Sequence, residues 1–449
     1  MKQKKKKTLQ AGRLIALVFA GLILIGTALL CLPIASRTGV SAGLRKSLFT
    51  ATSCTCVTGL ILEDTWVQWS GFGQVVILCL IQIGGLGFMS INSLFALMLR
   101  KKLSVKQRLV LAEAIGVDGI GDIVRLSKRI LAGTFLIEGT GALILTLRFW
   151  RDFGFLTSLK LGVFHSISAF CNAGFDILGF KMPGGSLIPY GSDPVVSLTL
   201  AALIILGGLG YVVWDEVVRI RNPKKWSVYT KLVLITTGSL LLLGMAFFCL
   251  TEWNNPETMG NFSVGGKLVA AFFQSATTRT AGFAGIDQGA MTEASKAGTI
   301  FLMLIGGSSG STAGGLKTVT FAVLLLFLWS RIRGKKSVSA FHRSVSDEQV
   351  LNALTLFGVM VGLTFAGAIF MAAMNPVSFV DSLYETVSAL ATVGLTTGIT
   401  SGLSLATHLM LICFMYFGRV GILTISMGFL REDAAEKKYR YAKTDLMIG

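Results

Sequence analysis

Four short segments share one spacing of polar residues and glycine, and the chemistry open to them is dehydration of a metal cation by backbone oxygens. They read Val57-Thr58-Gly59, Asn172-Ala173-Gly174, Thr280-Ala281-Gly282 and Thr392-Val393-Gly394, each followed by Leu or Phe. Ten residues before each glycine stands an aromatic (Phe49, Phe164, Phe272, Tyr384), and six before it a small residue (Ser53, Ser168, Ala276, Ser388). The glycines lie 115, 108 and 112 residues apart, so the 449 residues divide into four units. Self-similarity at a fixed period makes the whole chain a repeat architecture.

A second constellation lies between Ile305 and Lys317: Gly306, Gly307, Ser308, Ser309, Gly310, Ser311, Thr312, Ala313, Gly314, Gly315 and Leu316. Glycine and hydroxyl residues at this density cannot hold a continuous helix. The run is not a phosphate loop, because Gly310-x4-Gly315-Leu316-Lys317 has one residue too many before the lysine and no strand precedes it. The matching stretches are Gly84-Gly85-Leu86-Gly87, Gly207-Gly208-Leu209-Gly210 and Gly418-Arg419-Val420-Gly421. Only the third unit is expected to interrupt its helix here, and the fourth replaces a glycine by Arg419. Arginine inside an apolar span is a functional candidate by default. Arg279, three before Gly282, is expected to hydrogen-bond the glycine-strand backbone from behind. His165 and Asn172 read as packing or hydrogen-bonding residues rather than ligands.

The elements that must position these groups follow from composition. The chain is 53% hydrophobic and 14% charged, against roughly 25% charged in soluble domains. Long apolar runs near 14–34, 72–99, 130–150, 192–218, 230–251, 297–329, 349–374 and 403–429 can each cross a bilayer. Between the members of each pair sits a shorter apolar stretch, too short to cross, that ends at one of the four glycines. Of 41 basic residues, 29 cluster at 2–13, 100–129, 219–231, 331–343 and 431–443. Positive segments mark the cytoplasmic side, so every unit enters and leaves there, both termini are cytoplasmic, and a short helix dips in from outside. The net charge of +18 therefore reads as membrane orientation, with no nucleic acid partner. The basic leader with its long run Leu14–Ile34 reads as a retained first span rather than a signal peptide, and the seven cysteines as free thiols.

The expectation is an all-α integral membrane protein of four tandem M1-P-M2 repeats, with eight transmembrane helices and four re-entrant pore helices. Pseudo-four-fold symmetry surrounds a central pore. The repeats fall at 1–99, 100–219, 220–330 and 331–449. Irregular backbone at membrane depth is tolerated only where it lines protein or a water-filled path. Four copies around an axis would offer carbonyl oxygens in place of a cation's hydration shell, and short helices would aim their negative C-terminal ends at it. The cation, K+, is expected at the carbonyls of Thr58, Gly59, Gly174, Gly282 and Gly394. The loop around 305–317, with Arg419, is expected to gate the path.

The motifs Val-Thr-Gly-Leu, Asn-Ala-Gly-Phe, Thr-Ala-Gly-Phe and Thr-Val-Gly-Leu, together with the glycine-rich break, resemble the Ktr potassium uptake branch of the Trk/Ktr/HKT superfamily over essentially the whole chain. The absence of two additional N-terminal spans favours the Ktr over the Trk branch. Glycine rather than serine at 59 favours potassium. The resemblance implies K+ uptake into the cell across its membrane, with Na+ possible as a second ion and no organic cofactor in this chain. It also implies a homodimer and a cytosolic KtrA-type regulatory ring binding ATP, ADP or NAD(H). The basic, amphipathic stretch 100–129 reads as a membrane-surface or docking segment, and the tail Asp445–Gly449 as a dimer contact. A secondary transporter of sodium or another small solute is the alternative. An organic-solute carrier would call for inverted repeats, and an enzyme for convergent acid, base or metal residues. Three His and no acidic pair within a span supply no such site.

Overall fold

The computed structural model describes residues 2–87, 123–335 and 337–421. Most of the basic stretch 100–129, the basic cluster at 431–443 and the tail 445–449 lie outside the described residues.

The chain runs long helix, short helix, second apolar helix, four times. First come α1 (Lys2–Cys31), α2 (Leu44–Thr55), a four-residue α3 (Thr65–Gln68) and α4 (Gly71–Leu86). Then come α5 (Ile123–Phe149), α6 (Phe155–Phe170), α7 (Pro194–Leu209) and α8 (Tyr211–Arg219). The third set is α9 (Val228–Glu252), α10 (Val264–Thr277), α11 (Glu293–Leu304) and α12 (Thr318–Ile332). A two-residue hairpin, β1 (Ser339–Ala340) with β2 (Arg343–Ser344), leads into α13 (Asp347–Met374), α14 (Phe379–Leu390) and α15 (Leu405–Val420). Helix starts follow local chemistry. Asp193 accepts from the amides of Val195 and Val196 ahead of Pro194 at N1, and Ser227, Ser263, Ser378 and Ser404 cap α9, α10, α14 and α15 in the same way.

One expectation is corrected. Among the described residues, four helices are long and apolar enough to cross a bilayer: Arg13–Cys31, Ser127–Phe149, Val228–Glu252 and Asp347–Met374. In the second unit, too, the second apolar run is interrupted, so the break is not confined to the third unit. α4, α7 and α15 stop after 16 residues at Gly87, Gly210 and Gly421, whose φ values are +77°, +91° and +93°. α7 and α8 meet at 94°. A glycine at positive φ follows the last turn of each of α4, α7 and α15, a feature that a hydropathy profile does not register.

The short helices sit in the interior. Phe49, Phe164 and Tyr384 are buried, whereas Phe272 is half-buried. α5 lies close along α6, where Ser166 Oγ donates to the Glu138 carbonyl at 2.6 Å. Cys54, Cys56 and Cys171 are buried free thiols, and Cys171 Sγ donates to Gln82 Oε1 at 3.6 Å.

Candidate functional site

The C-termini of the four short helices converge on a closed ring of glycines. A Cβ built on Gly59 would lie 2.6 Å from the Ala173 carbonyl oxygen, on Gly174 2.6 Å from that of Ala281, and on Gly282 2.5 Å from that of Val393. A Cβ on Gly394 would strike the Thr58 carbonyl oxygen, which closes the cycle. Each glycine thus faces the residue before the next one, and no larger side chain fits at any of the four. The backbone also demands glycine, with φ of +99°, +70°, +81° and +95°.

Two residues earlier, Val57, Asn172, Thr280 and Thr392 all adopt φ between +53° and +62°. For β-branched residues this is a strained conformation costing about 1–3 kcal/mol each, and such strain collects at ligand sites. Alternating backbone hand turns successive peptide groups, which is how a strand aims its carbonyls rather than pairing them in a ladder. The approach is the same in three strands. The amides of Thr58, Ala173 and Val393 donate to the carbonyls of Ser53, Ser168 and Ser388 at 2.7–2.8 Å, folding each strand back over its helix end.

The small residue six before each glycine anchors the strand, though not uniformly. Ser53 and Ser388 accept from the amides of Gly59 and Gly394 at 3.0 Å. Ser168 instead donates to the Phe175 carbonyl at 2.7 Å. In the third strand the position is Ala276, and Thr277 takes over by donating to the Phe283 carbonyl at 2.7 Å. Thr277 was not singled out from sequence; a hydroxyl displaced by one residue was the available signal. The hydroxyls of Thr58, Thr280 and Thr392 are buried with no hydrogen-bond partner among the described residues.

On the helix-end side of this ring lies the interrupted span. Its neck is tied by Gly306 N to Leu316 O at 2.8 Å and Leu316 N to Leu304 O at 3.2 Å. From there it reaches across to the break between α7 and α8: Ser308 N donates to Gly208 O at 2.9 Å, Thr312 N to Gly207 O at 3.3 Å, and Tyr211 N to Gly310 O at 2.9 Å. Tyr229 donates its hydroxyl to the Ser309 carbonyl at 2.9 Å. Ser311 and Ser308 are bonded within the segment, and Ser308 also to Thr318. Lys317 Nζ donates to Ala313 O at 2.8 Å. Gly314 and Gly315 lie against Thr392 and the Ala391 carbonyl, immediately under the fourth strand, while a Cβ on Gly307 would meet Ala313.

Arg419 bridges this segment to the first unit. Its guanidinium donates to the carbonyls of Thr312 and Gly84, and to that of Gly85 at 3.0 Å. Arg279 corrects an expectation: its side chain donates to Gly306 O at 2.9 Å, the head of the interrupted segment, rather than to the glycine-strand backbone. Asn172 holds its amide group between the Arg279 carbonyl (3.3 Å) and the Thr312 hydroxyl (3.0 Å). His165 donates its Nδ1–H to the Leu161 carbonyl, 2.8 Å away, and packs among Phe149, Phe164 and Phe283. A buried carboxylate missed at the sequence level is Glu138, midway along α5 and held by Gln82 Nε2 at 3.1 Å from both oxygens; a lone acid in an apolar run was its signal.

On the opposite side, Arg148 pairs with Asp193 at 2.6 Å and Asp152 at 3.2 Å, joining the end of α5 to the start of α7. Tyr190 donates to Asp152 at 2.7 Å. That hydrogen bond, with the Arg148 charge, holds the Asp152 carboxyl below the usual range.

A family model described as TrkH, cation transport protein, matches residues 21–438. The chain is 40% identical to the potassium/sodium uptake protein NtpJ of Enterococcus hirae, covering 100% of this chain and 99% of the relative. It is 38% identical to the Ktr system potassium uptake protein B of Bacillus subtilis (95% and 94% covered) and 39% identical to that of Vibrio alginolyticus (95% and 93%). The fold is similar to the crystal structure of the potassium transporter TrkH from Vibrio parahaemolyticus, with TM-score 0.72 at 16% identity, over 94% of this chain and 85% of that one. With a multi-pass helical fold, a glycine ring at the meeting point of four helix ends, and matches that run nearly end to end, the chain belongs to the TrkH family of cation transport proteins, in the company of the Ktr-system B proteins.

Proposed function

We propose that the chain takes up potassium across the cell membrane through a gated, cation-selective pore. The observation that carries this reading is the closed cycle in which each ring glycine abuts the carbonyl preceding the next. The four strands form the selectivity filter, and the carbonyls of Thr58, Gly59, Gly174, Gly282 and Gly394 replace water around a dehydrated K+. The C-terminal ends of α2, α6, α10 and α14 add favourable negative potential. Around this axis the chain forms four M1-P-M2 units with pseudo-four-fold symmetry, both termini being cytoplasmic. Residues 305–317 form the gate beneath the filter, closed by its bonds to the second unit and by Arg419, whose charge also opposes a resting cation. The name of the Enterococcus hirae relative, a potassium/sodium uptake protein, favours Na+ as a second transported ion.

The Ktr-system names of two relatives support a multi-component assembly. In it the chain is the membrane subunit, as a homodimer, with a cytosolic KtrA-type ring supplying control by ATP, ADP or NAD(H). The test is growth rescue and isotope uptake in potassium-starved, transport-deficient cells, with and without sodium. Gly59→Ser adds a Cβ and a hydroxyl against the Ala173 carbonyl and is expected to lower the preference for K+ over Na+. Unchanged discrimination would remove Gly59 from the filter.

A further inference from the structure

The four residues two before the ring glycines share one backbone conformation but not one chemistry. Val57 has no polar group, and the hydroxyls of Thr280 and Thr392 have no partner among the described residues. Asn172 alone among the four makes side-chain hydrogen bonds, and it makes them in two directions. Nδ2 donates to the Arg279 carbonyl of the third strand at 3.3 Å, and Oδ1 accepts from Thr312 Oγ1 of the interrupted segment at 3.0 Å. Thr312 Oγ1 also lies 3.1 Å from the Phe170 carbonyl at the end of α6. Gly207 closes the pocket from behind: a Cβ there would come within 2.7 Å of Asn172 Oδ1 and 2.9 Å of Thr312 Oγ1. Arg279 completes the circuit, because its guanidinium holds Gly306 at the other end of the same segment. The segment is therefore attached at both ends to adjacent strands of the ring, at Asn172 and at Arg279.

We propose that Asn172 is a positioning residue that makes ion discrimination depend on the gate: with the segment seated, Asn172 is held from both sides and fixes the second and third strands. When Thr312 leaves, Asn172 loses the acceptor-side bond while its left-handed backbone remains, and these two strands loosen. Discrimination therefore depends on the Thr312–Asn172 contact, and a change that removes this contact relaxes selectivity. This inference rests on the filter-and-gate reading above.

The test uses the full chain in liposomes, reading rubidium flux and the rubidium-to-sodium uptake ratio together. Thr312→Val keeps the branched shape and removes the hydroxyl. It is expected to raise flux and to lower the ratio by about five-fold, the factor carried by one neutral hydrogen bond. Asn172→Gly, which tolerates the left-handed backbone, is expected to do the same. The double variant is expected to lose no more discrimination than either single one, as for residues acting through one contact. Asn172→Asp keeps the acceptor for Thr312 and loses the donor to Arg279, so the ratio is expected to fall; being isosteric, it guards against a folding defect. A Thr312→Val protein with raised flux and an unchanged ratio overturns the inference, as does a double variant whose losses multiply. Gly59→Ser measured alongside separates the two levels: if it lowers the ratio while Thr312→Val does not, the filter stands and only the coupling fails.

Discussion

Removing the Arg419 fork should open the pore at rest, and the structure sets the size of the effect. The guanidinium spans two bodies, with one nitrogen on the Thr312 carbonyl of the interrupted segment and the other on the Gly84 and Gly85 carbonyls at the end of α4. No carboxylate among the described residues pairs with it, so the latch consists of charge-assisted bonds to backbone. Such a bond contributes about 1.5–3 kcal/mol, and the segment receives one. Losing about 2 kcal/mol shifts a two-state equilibrium roughly 30-fold. A pore open about 1% of the time would then be open about a quarter of the time. Arg419→Ala removes latch and charge together. Arg419→Lys retains the charge, but a single ammonium cannot present the planar fork that reaches both bodies. Isotope flux into liposomes without any cytosolic partner is the assay. Expected are a large rise for Arg419→Ala and a smaller but clear rise for Arg419→Lys. Wild-type resting flux in the lysine variant, with a rise in the alanine variant, would show that charge alone closes the pore. Wild-type flux in both would refute the latch.

Deleting residues 308–313 removes the bonds to Gly207, Gly208, Phe170 and Asn172 at once, so uptake measured by isotope flux should rise well above the intact level. Ser388→Ala leaves the buried Gly394 amide without its acceptor. It should lower thermal stability by about 1–3 kcal/mol and weaken K+ over Na+ discrimination, whereas Ala276→Ser, where Thr277 already serves, should leave both nearly unchanged; the pair is read by thermal melts and competitive uptake. The lowered Asp152 group contributes stability that is present above its unfolded value of roughly 3.9 and is lost as pH falls through the folded value. Asp152→Asn should therefore reduce stability at neutral pH and flatten the loss below roughly pH 4, as followed by melting temperature against pH.

Much of the site was legible because it repeats. One glycine at +99° could be any turn; four in register, each with an aromatic ten residues earlier, pointed to one ring. The anchoring hydroxyls were legible as small residues but not as bonds, since Ser53 accepts where Ser168 donates and Thr277 substitutes from the next position. The second helix of the second unit was read as a continuous span because hydropathy averages over a window, whereas the turn at Gly210 depends on one residue at positive φ. Arg279 was assigned to the wrong backbone for a related reason. Sequence position put it three residues from Gly282, but its side chain is long enough to reach Gly306, 27 residues away in the chain.

By itself the sequence determined the apolar surroundings of the helices and the four in-register glycines that meet in one ring. These are properties of composition and period, and each is local or adds along the chain. Only the tertiary structure decided what holds the interrupted span in place. The carbonyls that take Arg419 lie 335 and 107 residues away, and the amide that meets Thr312 lies 140 residues away. Backbone carbonyls carry no residue-type signature, so partners of this kind become visible only when four helix ends and one broken span are brought to the same axis.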